Sequence, residues 1–193
     1  MKKHFITAEQ LLEDSFTLAW QVFDSGYRPT CIVGIWRGGS SVCIALHELL
    51  HLLGVESDHI PVRTSAYTGI AQRAEQVSVA GLDYVTTRFG GNDKLLLVDD
   101  VYDTGLSLQQ VIVTLGDHFG GDMPEIRIAT PWFKPDNNRT GRNPDYFLHE
   151  SDEWLVFPHE LEGLDFGELR DHKPALSPII DALLLRLQGR EKS

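Results

Sequence analysis

Residues 95–108 read LLLVDDVYDTGLSL. Leu95 to Val98 have the length and composition of a buried strand. Two carboxylates, Asp99 and Asp100, stand at its C-terminal end, where ligands bind in open α/β sheets. Asp103-Thr104-Gly105-Leu106-Ser107 then lead into a helix, predicted to run from about Ser107 to His118 and to stop at Gly120-Gly121. Gly105 lets the backbone turn tightly and approach a ligand. The loop N–H groups and the helix N-terminus form an anion nest, and Thr104 and Ser107 add hydroxyls. Paired carboxylates beside such a nest suit a molecule with vicinal hydroxyls and a phosphate, as in a sugar phosphate. The structural alternative is an acidic turn that closes a strand.

Working outward, strand and helix signals alternate. Thr7 and Gln10 make a capping box for a first helix, and Leu12, Phe16, Ala19 and Phe23 give it a predicted buried face ending near Gly26. CIVGI, 31–35, reads as a buried strand. It runs into Trp36-Arg37-Gly38-Gly39 and a helix from about Ser40 to Leu53. HIPVRT, 59–64, is a further strand. The polar stretch Ser65–Ala80 is predicted to be a loop, carrying part of a hairpin with Tyr84–Thr87. Gly90-Gly91-Asn92-Asp93 is a turn before the strand KLLLVD, and EIRIAT, 125–130, is another strand. The alternation predicts an α/β fold, a mostly parallel central sheet with helices on both faces. After Pro131 the character changes to a turn-rich segment with short strands at Tyr146–His149 and Trp154–Phe157, then a last helix from Ser177 to Leu187. The expectation is a single domain over 1–193: a core of about 7–131, a small lobe of about 132–160, and a C-terminal helix of about 174–188.

The chain has 193 residues, 42% of them hydrophobic, enough for one domain with a real core. No apolar run approaches the length of a membrane span, and acidic residues Glu9, Glu13 and Asp14 interrupt the start before any signal-peptide core can form. Cys31 and Cys43 sit in apolar surroundings and match no zinc spacing, which fits buried thiols and a cytoplasmic location. A net charge of −11 argues against nucleic-acid and anionic-membrane partners. It also requires that any anionic substrate meet local cations, a metal or backbone N–H groups.

HELLH, 47–51, matches the His-Glu-x-x-His signature of zinc proteases. On a helical wheel Val42, Ala45, Leu46, Leu49, Leu50 and Leu53 share one arc, and His47, Glu48 and His51 fall opposite with Ile44. That is the pattern of a helix packed on a sheet with a solvated outer face. A catalytic zinc also needs a third ligand. Ser57 holds the position where the extended motif has a histidine, and His59 is out of register.

The stretch 95–108 resembles the phosphoribosyl-pyrophosphate (PRPP) motif of type I phosphoribosyltransferases, and other segments agree in order. GIWRGG, 34–39, is similar to the family's pyrophosphate loop, in which the bond equivalent to Trp36–Arg37 is often cis. The resemblance implies that Asp99 and Asp100 face the ribose hydroxyls and, with Glu160, serve magnesium. It implies that Asp103, Thr104, Gly105, Leu106 and Ser107 cradle the 5′-phosphate, and that Trp36, Arg37 and Gly38 meet the pyrophosphate. Arg37 and Asp103 would be catalytic, Arg37 gripping the leaving group and Asp103 taking the purine N7 proton. The stretch 65–82 would be the catalytic lid, with Ser65 and Tyr67 as contacts. The segments TPWFKPD and DEWLVFPHE resemble the 6-oxopurine branch, xanthine–guanine and hypoxanthine enzymes: Lys134 would donate to the purine O6, Trp154 would stack on the base and Leu155 would read C2. His159 departs from a position where tryptophan is common. The implied partners are PRPP and a purine base, with Mg2+ as cofactor and a homodimer or homotetramer as the assembly. Two other readings stay open beside purine salvage: a non-catalytic PRPP-binding regulator of the same fold, and transfer to another base.

Overall fold

The computed structural model describes residues 2–67 and 76–190. In chain order the elements are β1 (Lys3–Phe5), α1 (Ala8–Asp24), β2 (Cys31–Trp36), α2 (Gly38–Leu52), β3 (Asp58–Tyr67), β4 (Gln76–Ala80), α3 (Asp83–Arg88), β5 (Lys94–Val98), β6 (Val101–Tyr102), α4 (Leu106–Phe119), β7 (Glu125–Ala129), β8 (Trp132–Phe133), β9 (His149–Glu150), β10 (Trp154–Val156), α5 (Phe166–His172) and α6 (Ser177–Arg190). They form two compact units. One spans Glu9–Asp152. The other joins the N-terminal strand to the chain from Glu153 onward. The predicted lobe, 132–160, contributes to both.

The larger unit is built on a five-stranded sheet of order β4-β3-β2-β5-β7. β3, β2, β5 and β7 run parallel, and β4 pairs antiparallel with β3. Cys31–Ile35 and Leu95–Val98 are buried without a break, as strands covered on both faces must be. Side chains alternate between the faces. Val33, Ile35, Leu95, Leu97 and Ile128 meet Val111 and Leu115 of α4, and α2 packs on β2 through its buried Val42, Ala45, Leu46 and Leu50. Each buried Val, Leu or Ile side chain among these contributes ~1.5–3 kcal/mol of apolar burial. Cys31 and Cys43 are free buried thiols, and burial pushes each up to about 12.

Three local expectations need correction. The buried face of α1 is Leu11, Ser15, Leu18, Ala19 and Val22, whereas Leu12 and Phe16 are exposed. The helix carries two apolar arcs, and Ser15 disguises the buried one: its hydroxyl donates to the Leu11 carbonyl at 2.6 Å, which lets a polar residue sit inside. Tyr84–Thr87 lies in α3, not in a strand. Its threonine hydroxyls donate to carbonyls three and four residues back, so β-branched residues are held in a helix. The predicted loop 65–80 is a β3–β4 hairpin at its flanks, with the Ser65 and Ser78 hydroxyls 2.8 Å apart. Residues 68–75 of the expected lid, and the Tyr67 side chain, lie outside the described residues.

The smaller unit pairs β1 with β10 in parallel, Lys3 opposite Trp154. Its α5 starts at a capping box: Asp165 accepts from the Glu168 N–H, and Glu168 accepts from the Asp165 N–H. Among the described residues, no helix is long and apolar enough to cross a membrane.

Candidate active site

The C-terminal end of β5 meets the N-terminus of α2, and two glycines set the distance. A Cβ on Gly38 would stand 1.8 Å from the Asp100 Oδ2, and one on Gly39 would stand 2.4 Å from the Val98 carbonyl oxygen. No other residue type fits that approach. Asp99 Oδ1 accepts from the Asp100 N–H at 3.0 Å, and the Asp99 carboxylate also accepts from the Gly39 N–H. Asp100 is buried. The Asp99 carboxyl is pushed well above the usual carboxylate range, first by burial and then by the neighbouring Asp100. The Trp36–Arg37 peptide bond is cis, and both side chains are exposed. Just inside α2, the Ser40 Oγ is buried with no hydrogen-bond partner among the described residues. A buried hydroxyl in that condition is satisfied by a water, an ion or a bound group.

The loop after β6 carries the other half of the site. Gly105 caps α4 with φ +75°, a left-handed conformation, and a Cβ there would lie 2.5 Å from the Tyr102 ring. Both constraints select glycine. Asp99, Asp103, Thr104, Gly105 and Ser107 line one cavity of about 200 Å³ at the N-terminus of α4. Free helix N–H groups and hydroxyls there favour an anion, while the two carboxylates offer hard oxygen acceptors. The structure therefore brings most of the predicted phosphate and ribose contacts together. It turns Asp100 toward Gly38 instead, and Arg37, Trp36 and Leu106 are not on the cavity wall.

The segment 134–140, in which sequence reasoning named only Lys134 as a site residue, lies along this loop. The Lys134 N–H donates to the Tyr102 carbonyl at 2.9 Å, and the Arg139 N–H donates to the Thr104 carbonyl at 3.0 Å. The Tyr102 and Thr140 hydroxyls are 2.8 Å apart. Lys134 is buried, and its Nζ lies 3.2 Å from Asp103 Oδ2. Asn137 Nδ2 donates to Asp103 Oδ1 at 2.9 Å. Ser40, Tyr102, Asn137 and Thr140 were missed by sequence reasoning. For Ser40 the signal was available, because it follows Gly38-Gly39 directly at a helix start.

In the smaller unit, Trp154 is 37% exposed and Leu155 is buried. Lys3 Nζ stands 4.8 Å from the centre of the Trp154 ring, anchored to the Glu168 carboxylate at 2.7 Å. Glu160 Oε2 accepts from the Phe157 N–H at 3.1 Å and so closes its own turn.

His47 and His51 lie on the outer side of α2, as the wheel predicts. Their ring centres are 6.1 Å apart, and β3 brings His59 to 4.4 Å from His47. Among the described residues, no three His, Cys, Asp or Glu side chains are arranged to hold a metal ion.

A family model for the phosphoribosyl transferase domain matches residues 6–164. A xanthine-guanine phosphoribosyltransferase of Desulfotalea psychrophila is 30% identical over 162 residues, which is 81% of this chain and 86% of that protein. A purine phosphoribosyltransferase structure from Pyrococcus horikoshii superposes with TM-score 0.65 at 28% identity, covering 86% of this chain and 98% of that one. The Helicobacter pylori xanthine-guanine-hypoxanthine phosphoribosyltransferase gives TM-score 0.64 at 24% identity, with coverage of 89% and 100%, a likeness of fold.

Proposed function

Because the chain belongs to the phosphoribosyl transferase domain family, we propose that it transfers the 5-phosphoribosyl group of PRPP to N9 of a 6-oxopurine. The products would be the nucleoside 5′-monophosphate and pyrophosphate. The observation that carries the reading is the 200 Å³ cavity in which Asp99, Asp103, Thr104 and Ser107 surround the N-terminus of α4. Its hydroxyls and helix N–H groups suit a 5′-phosphate, and its carboxylates suit ribose hydroxyls. The Ser40 hydroxyl at the start of α2, without a hydrogen-bond partner among the described residues, is open to a second anion there. Relatives named for xanthine, guanine and hypoxanthine support the purine.

The oxygen donors fit magnesium, a hard cation that takes one or two carboxylates and completes its shell with substrate oxygens and water. Asp99 would hold it, joined by Asp100 once that carboxylate turns from Gly38, with Glu160 assigned to a second ion by resemblance. When bound, it would supply charge neutralisation for the diphosphate. The remaining steps belong to the protein. Arg37, exposed beside Gly38, would bind the leaving pyrophosphate. N9 bonds to C1′, the C1′–O bond breaks with its electron pair going to pyrophosphate, and the N7 proton passes to Asp103. Lys134 would donate to O6, which requires that it leave Asp103. Trp154 and Leu155 are assigned to the base by resemblance. This also answers the charge problem: the −11 chain meets its anions with helix N-termini, Arg37 and a divalent ion.

The test is an ultraviolet assay with PRPP, magnesium and hypoxanthine, guanine or xanthine in turn. At least one base should be consumed. Asp103→Asn should keep PRPP binding and lose turnover by ~10²-fold or more. A near-wild-type rate in that variant removes Asp103 from the role. PRPP binding without turnover of any base would favour a regulator instead.

A further inference from the structure

Asp103 carries the proposed proton transfer, and its two oxygens are held by unlike groups. Oδ2 lies 3.2 Å from Lys134 Nζ, and Oδ1 accepts from Asn137 Nδ2 at 2.9 Å. Lys134 is a cation on a long stem with its own assignment at the purine. Asn137 is neutral and short, and its backbone is pinned. It ends the one-turn segment Pro135–Asn137. Its N–H donates to the Lys134 carbonyl at 3.3 Å, and the neighbouring Asp136 N–H donates to Asp152 Oδ1 at 3.2 Å. Two residues on, the Arg139 N–H binds the Thr104 carbonyl. Asn137 is exposed, so packing does not account for its side chain reaching Asp103.

We propose that Asn137 is a positioning residue for Asp103. It fixes Oδ1, and so leaves Oδ2 to receive the purine N7 proton once Lys134 has turned to the base. A neutral amide suits that task. It donates a hydrogen bond, takes no proton itself, and leaves the negative charge of the carboxylate in place. The inference rests on the phosphoribosyl-transfer reading and deepens it.

Wild type, Asn137→Ala and Asn137→Asp are compared in the same PRPP, magnesium and base assay, with thermal unfolding alongside. In Asn137→Ala, kcat falls about tenfold, because a misaimed base loses reaction geometry. The KM for PRPP stays within about twofold, and the Tm moves by ~2 °C at most, as for an exposed site. Asn137→Asp falls further, since a second carboxylate then faces the first. An unchanged kcat in Asn137→Ala overturns the proposal. So does a KM for PRPP that rises in step with the fall in kcat, because that marks a loosened 103–107 loop and not a misaimed base. Wild-type protein that consumes no base sinks the transfer reading and the role of Asn137 with it. Wild-type turnover with a neutral Asn137→Ala sinks the role alone.

Discussion

The two ends of α2 carry two short motifs in opposite surroundings. At the N-terminal end, Gly38 and Gly39 press against Asp100 and the Val98 carbonyl at distances only glycine permits. At the C-terminal end, His47 and His51 face an open concavity of about 660 Å³, with His59, Glu48 and Glu56 around it. The His-Glu-x-x-His match has the better-known spacing. The glycine pair has the tighter environment: a buried carboxylate and its neighbour, a helix N-terminus and a second loop all converge on it. Spacing within one helix costs nothing to acquire, because any polar outer face can carry it. A close approach between two backbones constrains residues on both sides, and that constraint separates a site from a coincidence.

The comparison breaks most visibly at Gly39. Gly39→Ala forces a methyl against the β5 backbone, 2.4 Å from an oxygen that cannot move aside. Overpacking of this kind costs about 1–3 kcal/mol, so the Tm should fall on the order of 5 °C. An unchanged melting curve would mean that the two ends of α2 are equally loose.

Asp99 gives a smaller effect with a defined pH dependence. Burial and Asp100 raise its folded-state value above that of the unfolded chain. Between those two values the folded state holds the extra proton, so stability falls as pH rises through that window. At low pH the carboxyl is protonated in both states and the penalty vanishes. Asp99→Asn removes the titration. The variant should therefore melt well above wild type at pH 8 and little above it at pH 4, while losing PRPP affinity. The same difference at both pH values would remove the carboxyl pair as its cause.

The smallest effect belongs to the other end. A His47→Ala, His51→Ala double variant should keep turnover within about twofold and stability within about 0.5 kcal/mol for each site. Loss of activity on removal of these imidazoles would give the His-Glu-x-x-His helix a function after all.

Residues close in sequence made the site legible. A buried strand, two carboxylates, a glycine and a helix start all fall within 95–108, so β5, its loop and α4 could be read directly. The parallel sheet followed from alternating elements. The face of α1 did not, because Leu11 and Leu12 belong to competing arcs and only packing chooses between them. Contacts between distant positions were equally closed to sequence reasoning. Asn137 reaches Asp103 across 34 positions, and Thr140 reaches Tyr102 across 38. β1 was overlooked for the same reason: Lys3–Phe5 becomes a strand only because Trp154–Val156 pairs with it.

Calorimetric titration of the purified chain with PRPP and magnesium, run beside Gly38→Ala, addresses the central claim most directly. Wild type should give saturable heat and the variant should lose most of it, because the added methyl would displace the Asp100 carboxylate, whose Oδ2 lies 1.8 Å from its position. No heat with wild type, or equal affinity in both proteins, would contradict a ribose-phosphate cradle at the meeting of β5, α2 and α4.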